Sequence, residues 1–392
     1  MALCCCVAWP LLQLVPLPPA WRELLSPHAG AIDLALRFDG GAPRARPLSI
    51  DPAATLKAAI VAAMVVGMFW TAREVCARNG VRSLLRAVAW SGLPIVVLAV
   101  VLLASAPGRI YGIWDTATPA AQPYGPFVNR NHMGTWLVMA LPLVTGYVFA
   151  RFQDRGGFGR LATALDARML WLIGSAGAML AGIVFSLSRS AVVATLAAGM
   201  FAALVAARRS GPARWGMLIA AAAAIAIVMS NPRTIDLSRR FENSRTTPTW
   251  GRLQIWRETL PIVRDFALTG AGVGSYRTAM LVYQQSDRKL FFNQAHNQYL
   301  QLAAEGGILL MLPLACAGGL FAAAAARRLR GERSAMVWIR AGACAGIIAA
   351  LVQSLWETGL RLPANGLLFA ALCAIAVHGR RADAGDQANA RP

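Results

Sequence analysis

The sequence predicts an all-α polytopic membrane protein with about ten transmembrane helices and one large helical loop outside the membrane. Three observations lead there. The chain is 57% hydrophobic and only 14% charged, whereas soluble domains carry roughly 25% charged residues. Its apolar residues gather in blocks of about twenty, the length a helix needs to cross a hydrocarbon core of roughly 30 Å. Arginine clusters then recur at every second connection between blocks, as the positive-inside rule requires of short cytoplasmic loops.

The first block, residues 1–17, is short and ends in the proline cluster Pro16, Pro18 and Pro19. It lacks a charged n-region and a small-residue cleavage site, so it reads as the remnant of a span rather than a removed signal peptide. A mixed polar stretch runs to Asp51. Apolar blocks follow at 53–72, 88–106, 133–150, 169–187, 190–207, 215–230, 297–325, 335–355 and 362–378. The arginine sets are Arg73 to Arg86, Arg151 to Arg168, Arg208 to Arg214 and Arg327 to Arg333, with Arg380 and Arg381 in the tail. The other connections then face outward: 107–132, the Ser186–Ser190 turn, the long 231–295 loop and 356–361. Long loops translocate largely regardless of charge, so the arginines of 231–295 do not reverse the orientation. The expected organisation is an N-terminal bundle over 1–230, a periplasmic loop over 231–295, C-terminal transmembrane helices over 296–380 and a cytoplasmic tail over 381–392.

Within the long loop, Leu253, Trp256, Leu260 and Val263 recur at helical spacing, and Pro261 is expected to bend or restart that helix. The glycines of Gly270 to Tyr276 make a tight turn between two loop helices. No strand precedes them, so a dinucleotide-binding loop is not supported. His296, Tyr299 or Leu300, Ala303 and Gly307 fall on one face of the next helix, where Gly307 would admit a close neighbour.

Charge and cysteine content exclude other classes. The formal charge is +20, with Lys57 and Lys289 the only lysines. Arg-loaded membrane loops account for that total, and charge alone is weak support for a nucleic-acid partner. Seven cysteines, most in apolar blocks, show no metal-ligand spacing and no disulfide framework. No metal site or cofactor is expected.

The residues suited to chemistry sit at the outer ends of spans. His28 and His378 read as interfacial residues. His132 closes the stretch Gly125-Pro-Phe-Val-Asn-Arg-Asn-His132, and His296 lies in Phe291-Phe-Asn-Gln-Ala-His-Asn-Gln-Tyr299. Polar groups so close to an apolar span are costly without partners. Arg189, in the short Ser186-Leu-Ser-Arg-Ser190 connection, either snorkels as an anchor or faces a polar cavity. Arg252 either is a solvated loop residue or faces the same cavity. Arginine forks bind diphosphate oxygens well. A histidine can take a proton from a hydroxyl. Diphosphate leaves readily once its charge is neutralised. Paired hydrolase-type carboxylates are not evident.

These segments resemble the O-antigen ligase superfamily of bacterial membrane proteins. The resembling stretches are Leu14 to Pro19, Pro47 to Pro52, Gly125 to His132, Ser188-Arg189, Arg252 to Trp256, Leu268 to Gly274, and His296-Asn297 followed nine residues later by Gly307. Leu310 departs from the small residue or tyrosine usual in the ligases. The resemblance implies a GT-C-like membrane fold. It also implies metal-independent, inverting transfer of a glycan from undecaprenyl diphosphate at the periplasmic face of the inner membrane. It makes His296 the base for the acceptor hydroxyl, and Arg189 and Arg252 the diphosphate ligands. Arg252 is matched over Arg245 and Arg257 by its spacing to Trp256. Asn129, Arg130, Asn131, His132, Ser188, Arg245, Tyr276 and Asn297 are the expected substrate-binding residues. The acceptor is lipid A-core in a ligase and another lipid-linked repeat in a polymerase. A transporter of polysaccharide intermediates is the reading from a different class.

Overall fold

The computed structural model describes residues 2–36, 45–116, 122–156, 166–208, 249–286 and 291–379. Among them are thirteen α-helices and one short hairpin. The N-terminal helices are α1 (Ala2–Leu12), α2 (Pro19–Leu25), α3 (Ala29–Leu36), α4 (Pro52–Ala77) and α5 (Val81–Ser105). Strands β1 (Arg109–Ile110) and β2 (Trp114–Asp115) pair antiparallel in the following connection. Next come α6 (Arg130–Asp154), α7 (Ala167–Phe185), α8 (Arg189–Ala207), α9 (Thr249–Asp265) and α10 (Tyr276–Tyr283). The chain continues through α11 (Gln298–Gly331), α12 (Met336–Gln353), a 3-10 turn (Gly359–Arg361) and α13 (Pro363–Val377).

Seven of these helices are long and apolar enough to cross a membrane: α4, α5, α6, α7, α8, α11 and α12. Residues 3–12 of α1 and the whole of α13 are shorter apolar helices. They match nine of the blocks expected from sequence. The tenth, 215–230, lies outside the described residues, as do Arg245 and the 381–392 tail. The chain is an all-α polytopic membrane protein.

Burial separates the inner helices from the lipid-facing ones. The apolar stretch of α6 is 83% buried and that of α12 is 72% buried, against 11% for α4 and for α11. Helix α6 is the hub, packing on α5, α7, α8, α12 and α13. Small residues bring it close to α12. A Cβ at Gly346 would lie 2.7 Å from the Met139 carbonyl oxygen. Cβ atoms at Gly342 and Gly146 would press still harder on the backbones of Pro142 and Trp338. Without a hydrophobic force between helices in lipid, this close backbone contact is the main source of their association.

A second, smaller core lies at the end of the bundle formed by the starts of α4, α6, α8, α11 and α13. Ala29 and Ile32 of α3 join Ile262 and Phe266 of α9, Tyr276, Ala279 and Met280 of α10, and Ala295 and Ala304. The expected loop helix is present, but its core face is Ile255, Thr259, Ile262 and Phe266, while Leu253 and Leu260 are exposed. Apolar spacing concealed this face because polar Glu258 and Thr259 belong to it, each with a hydrogen-bond partner. The helix does not restart at Pro261: α9 runs through it. Ile262 and Phe266, locked in the core, hold the helix past the missing N–H.

His296 does not share a helical face with Gly307. It precedes the N-cap Asn297 and has φ +49°, and Gly307 is a non-helical kink inside α11 (φ 60°, ψ −167°). That conformation is essentially restricted to glycine. Gly307 admits not a helix but the turn before the Gly270 loop: a Cβ there would lie 2.5 Å from Gly270 N and from Leu268 O. The kink exposes backbone groups that the loop then takes up, with Ala271 N donating to Ala304 O at 2.9 Å and Gly272 N to Glu305 O at 2.9 Å. The Glu305 carboxylate, 1% exposed, accepts from Gly274 N at 2.9 Å, Gln301 Nε2 at 3.1 Å and Arg361 at 3.0 Å. Gln13, just past α1, donates to Thr269 O and Glu305 O and accepts from Val273 N. Past the kink, 308–331 still has about 36 Å of helix at 1.5 Å per residue, enough to span the hydrocarbon core.

Two substitutions test this framework. Gly342→Val places carbon against the Pro142 backbone, and overpacking costs about 1–3 kcal/mol. The detergent-purified variant therefore melts several degrees below the parent in a thermal unfolding assay. Gly307→Ala combines a backbone clash with a strained conformation of order 1–3 kcal/mol. It opens the Gly270 loop, and limited proteolysis then cuts between residues 266 and 276 faster than in the parent.

Candidate active site

Four segments meet beside the smaller core, and a buried carboxylate not among the expected site residues lies where they join. Glu357, in the short connection between α12 and α13, is 1% exposed. Its Oε1 accepts from Arg252 of α9 at 2.6 Å and from Asn131 Nδ2 of α6 at 2.8 Å. Its Oε2 lies 3.8 Å from His296 Nδ1. Arg130 and His132 both lie in electrostatic range of Glu357, Arg130 also of Arg189, and His132 also of His296. The cluster thus contains Arg130, His132, Arg252, His296 and Glu357, with Arg189 at its margin.

Each member is held by local structure. Asn129 caps α6, its side chain accepting from Asn131 N at 2.8 Å. Ser188 caps α8, accepting from Ala191 N at 3.4 Å. Asn297 caps α11, accepting from Tyr299 N and Leu300 N, each at 3.0 Å. These three expected substrate-binding side chains are therefore engaged by backbone, and the cations next to them project from helix starts. Arg189 is exposed at the first position of α8. A Cβ at Gly134 would meet Ala191 Cβ at 3.0 Å and Ser188 Cβ at 3.6 Å, so glycine at that position seats the start of α8 against the first turns of α6.

The His296 segment is fixed on both sides. Trp256 Nε1 donates to Ala295 O at 3.0 Å, Gln298 N donates to Ser354 O at 2.8 Å, and Thr358 Oγ1 donates to Gln294 Oε1 at 2.5 Å. Gln353 Nε2 donates to Asn131 O at 3.2 Å, and Asn365 Nδ2 donates to His132 O at 3.0 Å and Gly359 O at 2.9 Å. The carboxylate connection is thereby tied to both histidine segments.

Tyr276, one of the expected binding residues, packs in the smaller core with Ile262 and Met280. It is 1% exposed in the outer core and its hydroxyl pairs with Thr259 at 2.7 Å. Burial pushes its phenol well above the ordinary tyrosine range, so it does not exchange a proton near neutrality. Asp265 is likewise structural, accepting from Tyr283 at 2.8 Å.

Several polar atoms in the cluster lack partners. His296 Nδ1, Glu357 Oε2, His132 Nε2 and Gln353 Oε1 are buried and make no hydrogen bond. Buried polar groups are nearly always bonded. Orphans gathered around one carboxylate mark a place where a ligand or a small closure completes the network. Carboxylate and imidazole are already in the order that nucleophile activation needs: the carboxylate faces Nδ1, which leaves Nε2 as the nitrogen for a substrate. Among the described residues, no group of three or more His, Cys, Asp or Glu is placed to hold a metal ion.

A signal for Glu357 was present in the sequence: an acidic residue in a connection of a few residues between two apolar blocks. The same argument had singled out Arg189.

No curated protein matches the chain at a significant level. Residues 174–315 match the family model described as O-antigen ligase. That span contains Arg189, Arg252 and His296, while Arg130, His132 and Glu357 lie outside it. Over those residues this membrane protein is similar to the O-antigen ligase family.

Proposed function

We propose that the protein is an inner-membrane glycosyltransferase. It moves a glycan from undecaprenyl diphosphate onto an acceptor at the periplasmic face, with lipid A-core as the acceptor. The observation that carries this reading is the cluster of Arg130, Arg252 and His296 around buried Glu357, with Arg189 at its edge. It supplies cations for a diphosphate and one oriented imidazole for a hydroxyl.

The reaction then runs as an inverting displacement. His296 Nε2 takes the proton of the acceptor hydroxyl as its oxygen attacks the anomeric carbon from the face opposite the diphosphate. The bond from that carbon to the diphosphate oxygen breaks, and its electron pair leaves with undecaprenyl diphosphate. Arg189 and Arg252, with Arg130 beside them, balance the charge that develops there. Arg252 gives one N–H to Glu357 and keeps others for phosphate, since a guanidinium carries five. Glu357 positions His296 and stabilises the imidazolium as it forms. The 3.8 Å separation is long for a hydrogen bond, and such contacts often tighten only when substrate binds.

The test is transfer by purified protein in detergent, with an undecaprenyl-diphosphate-linked oligosaccharide as donor and lipid A-core competing with a second lipid-linked repeat. Glycosylated core and free undecaprenyl diphosphate are expected. Elongated lipid-linked glycan would favour a polymerase, and no donor turnover with either acceptor would defeat the proposal. In the same assay His296→Ala lowers kcat by about 10²–10⁴-fold, the range of general-base catalysis. Glu357→Gln removes an interaction with a charged group worth about 1.5–3 kcal/mol, roughly ten- to a hundredfold in rate. That loss falls on kcat while KM for the donor stays near the parent value. A loss confined to KM would instead assign Glu357 to substrate binding.

A further inference from the structure

At the other end of the bundle, away from the Glu357 cluster, lies a cavity of about 1200 Å³. It is lined by the start of α5, the ends of α6 and α11, the start of α12 and the residues after α13. Six arginines line it: Arg82, Arg151, Arg155, Arg327, Arg328 and Arg340. Arg82 reaches Asp154 at 3.8 Å and Arg340 reaches Glu332 at 3.3 Å, while Arg151 and Arg155 share Asp166. Three carboxylates thus face six guanidiniums, and a surplus of three positive charges remains. Arg327 and Arg328 make no ion pair among the described residues. The Nε of Arg151 is buried and has no acceptor.

Cations in short membrane connections ordinarily serve orientation and spread into water. These converge from several helices on one concavity, and Arg340 among them is only 4% exposed. The lining also contains Val81, Ala150, Met336 and Ile339, so it is amphipathic. The neighbouring face of α11 is apolar and open, with Leu312 61% and Leu320 70% exposed. A ligand that fits carries phosphate oxygens for the guanidiniums and hydrocarbon for the face beside them. Basic pockets between transmembrane helices bind anionic headgroups for this reason.

We propose that this cavity is a binding site for the headgroup of an anionic phospholipid, whose acyl chains lie along α11. The phosphate sits among Arg327, Arg328 and Arg151. The test uses purified protein in neutral detergent micelles doped with cardiolipin, with phosphatidylglycerol or with phosphatidylcholine, and reads the thermal midpoint. Cardiolipin and phosphatidylglycerol raise it by several degrees and phosphatidylcholine does not. The double variant Arg327→Gln/Arg328→Gln loses most of that shift. Arg168→Gln, an exposed arginine of α7 on the same side and outside the cavity, keeps it. If the double variant melts below the parent without lipid, Arg327→Lys/Arg328→Lys, which keeps the charge, must restore the lipid response. Three results overturn the proposal: an equal shift from phosphatidylcholine, an equal shift from inorganic phosphate at matched phosphate concentration, or a full anionic-lipid shift in the double glutamine variant.

Discussion

A carboxylate buried to 1% exposure cannot stand alone in a membrane protein. Removing an ion from water costs several kcal/mol, and the loss is offset only by good geometry with its partners. Glu357 obtains that geometry from Arg252 of α9 and Asn131 of α6. It therefore fixes α9, the start of the central helix and the α12–α13 connection relative to one another. The His296 segment is tied to the same connection through Ser354 and Thr358. Without the carboxylate, the cations of the cluster would repel one another with no opposite charge between them. Glu357 thus permits like charges to gather, as the proposed diphosphate donor would require.

The loop can carry a precise site because it is not an independent appendage. Its core draws on α3 from the N-terminal region as well as α9 and α10. Its Gly270 turn is hydrogen-bonded to the kink of α11 and to Gln13. A residue on a loop is usually held less tightly than one on a helix. Here the kink at Gly307 releases backbone groups that the loop fills, and Glu305 ties the two together. Strain in one helix is the means by which the Gly270 turn is anchored to the bundle.

Hydropathy made the spans legible, since lipid admits few alternatives to an apolar helix. The described helices follow eight of the later blocks closely, from α4 (Pro52–Ala77) to α13 (Pro363–Val377). The polar details were less legible, and for specific reasons. The core face of α9 is not visible to apolar periodicity because Thr259 and Glu258 occupy it, and periodicity does not register a satisfied polar residue. Tyr276 looked available because sequence shows neither its burial nor its bond to Thr259. Asn129, Ser188 and Asn297 were recognised as unusual at helix starts, but their side chains cap helices. Glu357 was missed because its partners lie 105 and 226 positions away in the chain. An isolated acid between two spans shows its purpose only when the fold brings those partners to it.

The direction of the helices completes the electrostatics. Helices α6, α8 and α11 begin at the Glu357 end, so the positive ends of their dipoles point the same way as Arg130, Arg189 and His296. Dipole and side-chain charge add there, and Glu357 offsets only part of the sum. At the opposite end, α6 and α11 present negative termini to Arg151, Arg155, Arg327 and Arg328. Those cations are partly balanced by the helices themselves, which allows them to remain crowded around a cavity. The same residue type therefore does different work at the two ends. Where the dipoles reinforce it, arginine is poised for charge that develops during a reaction. Where they oppose it, arginine suits a fixed anion that stays in place.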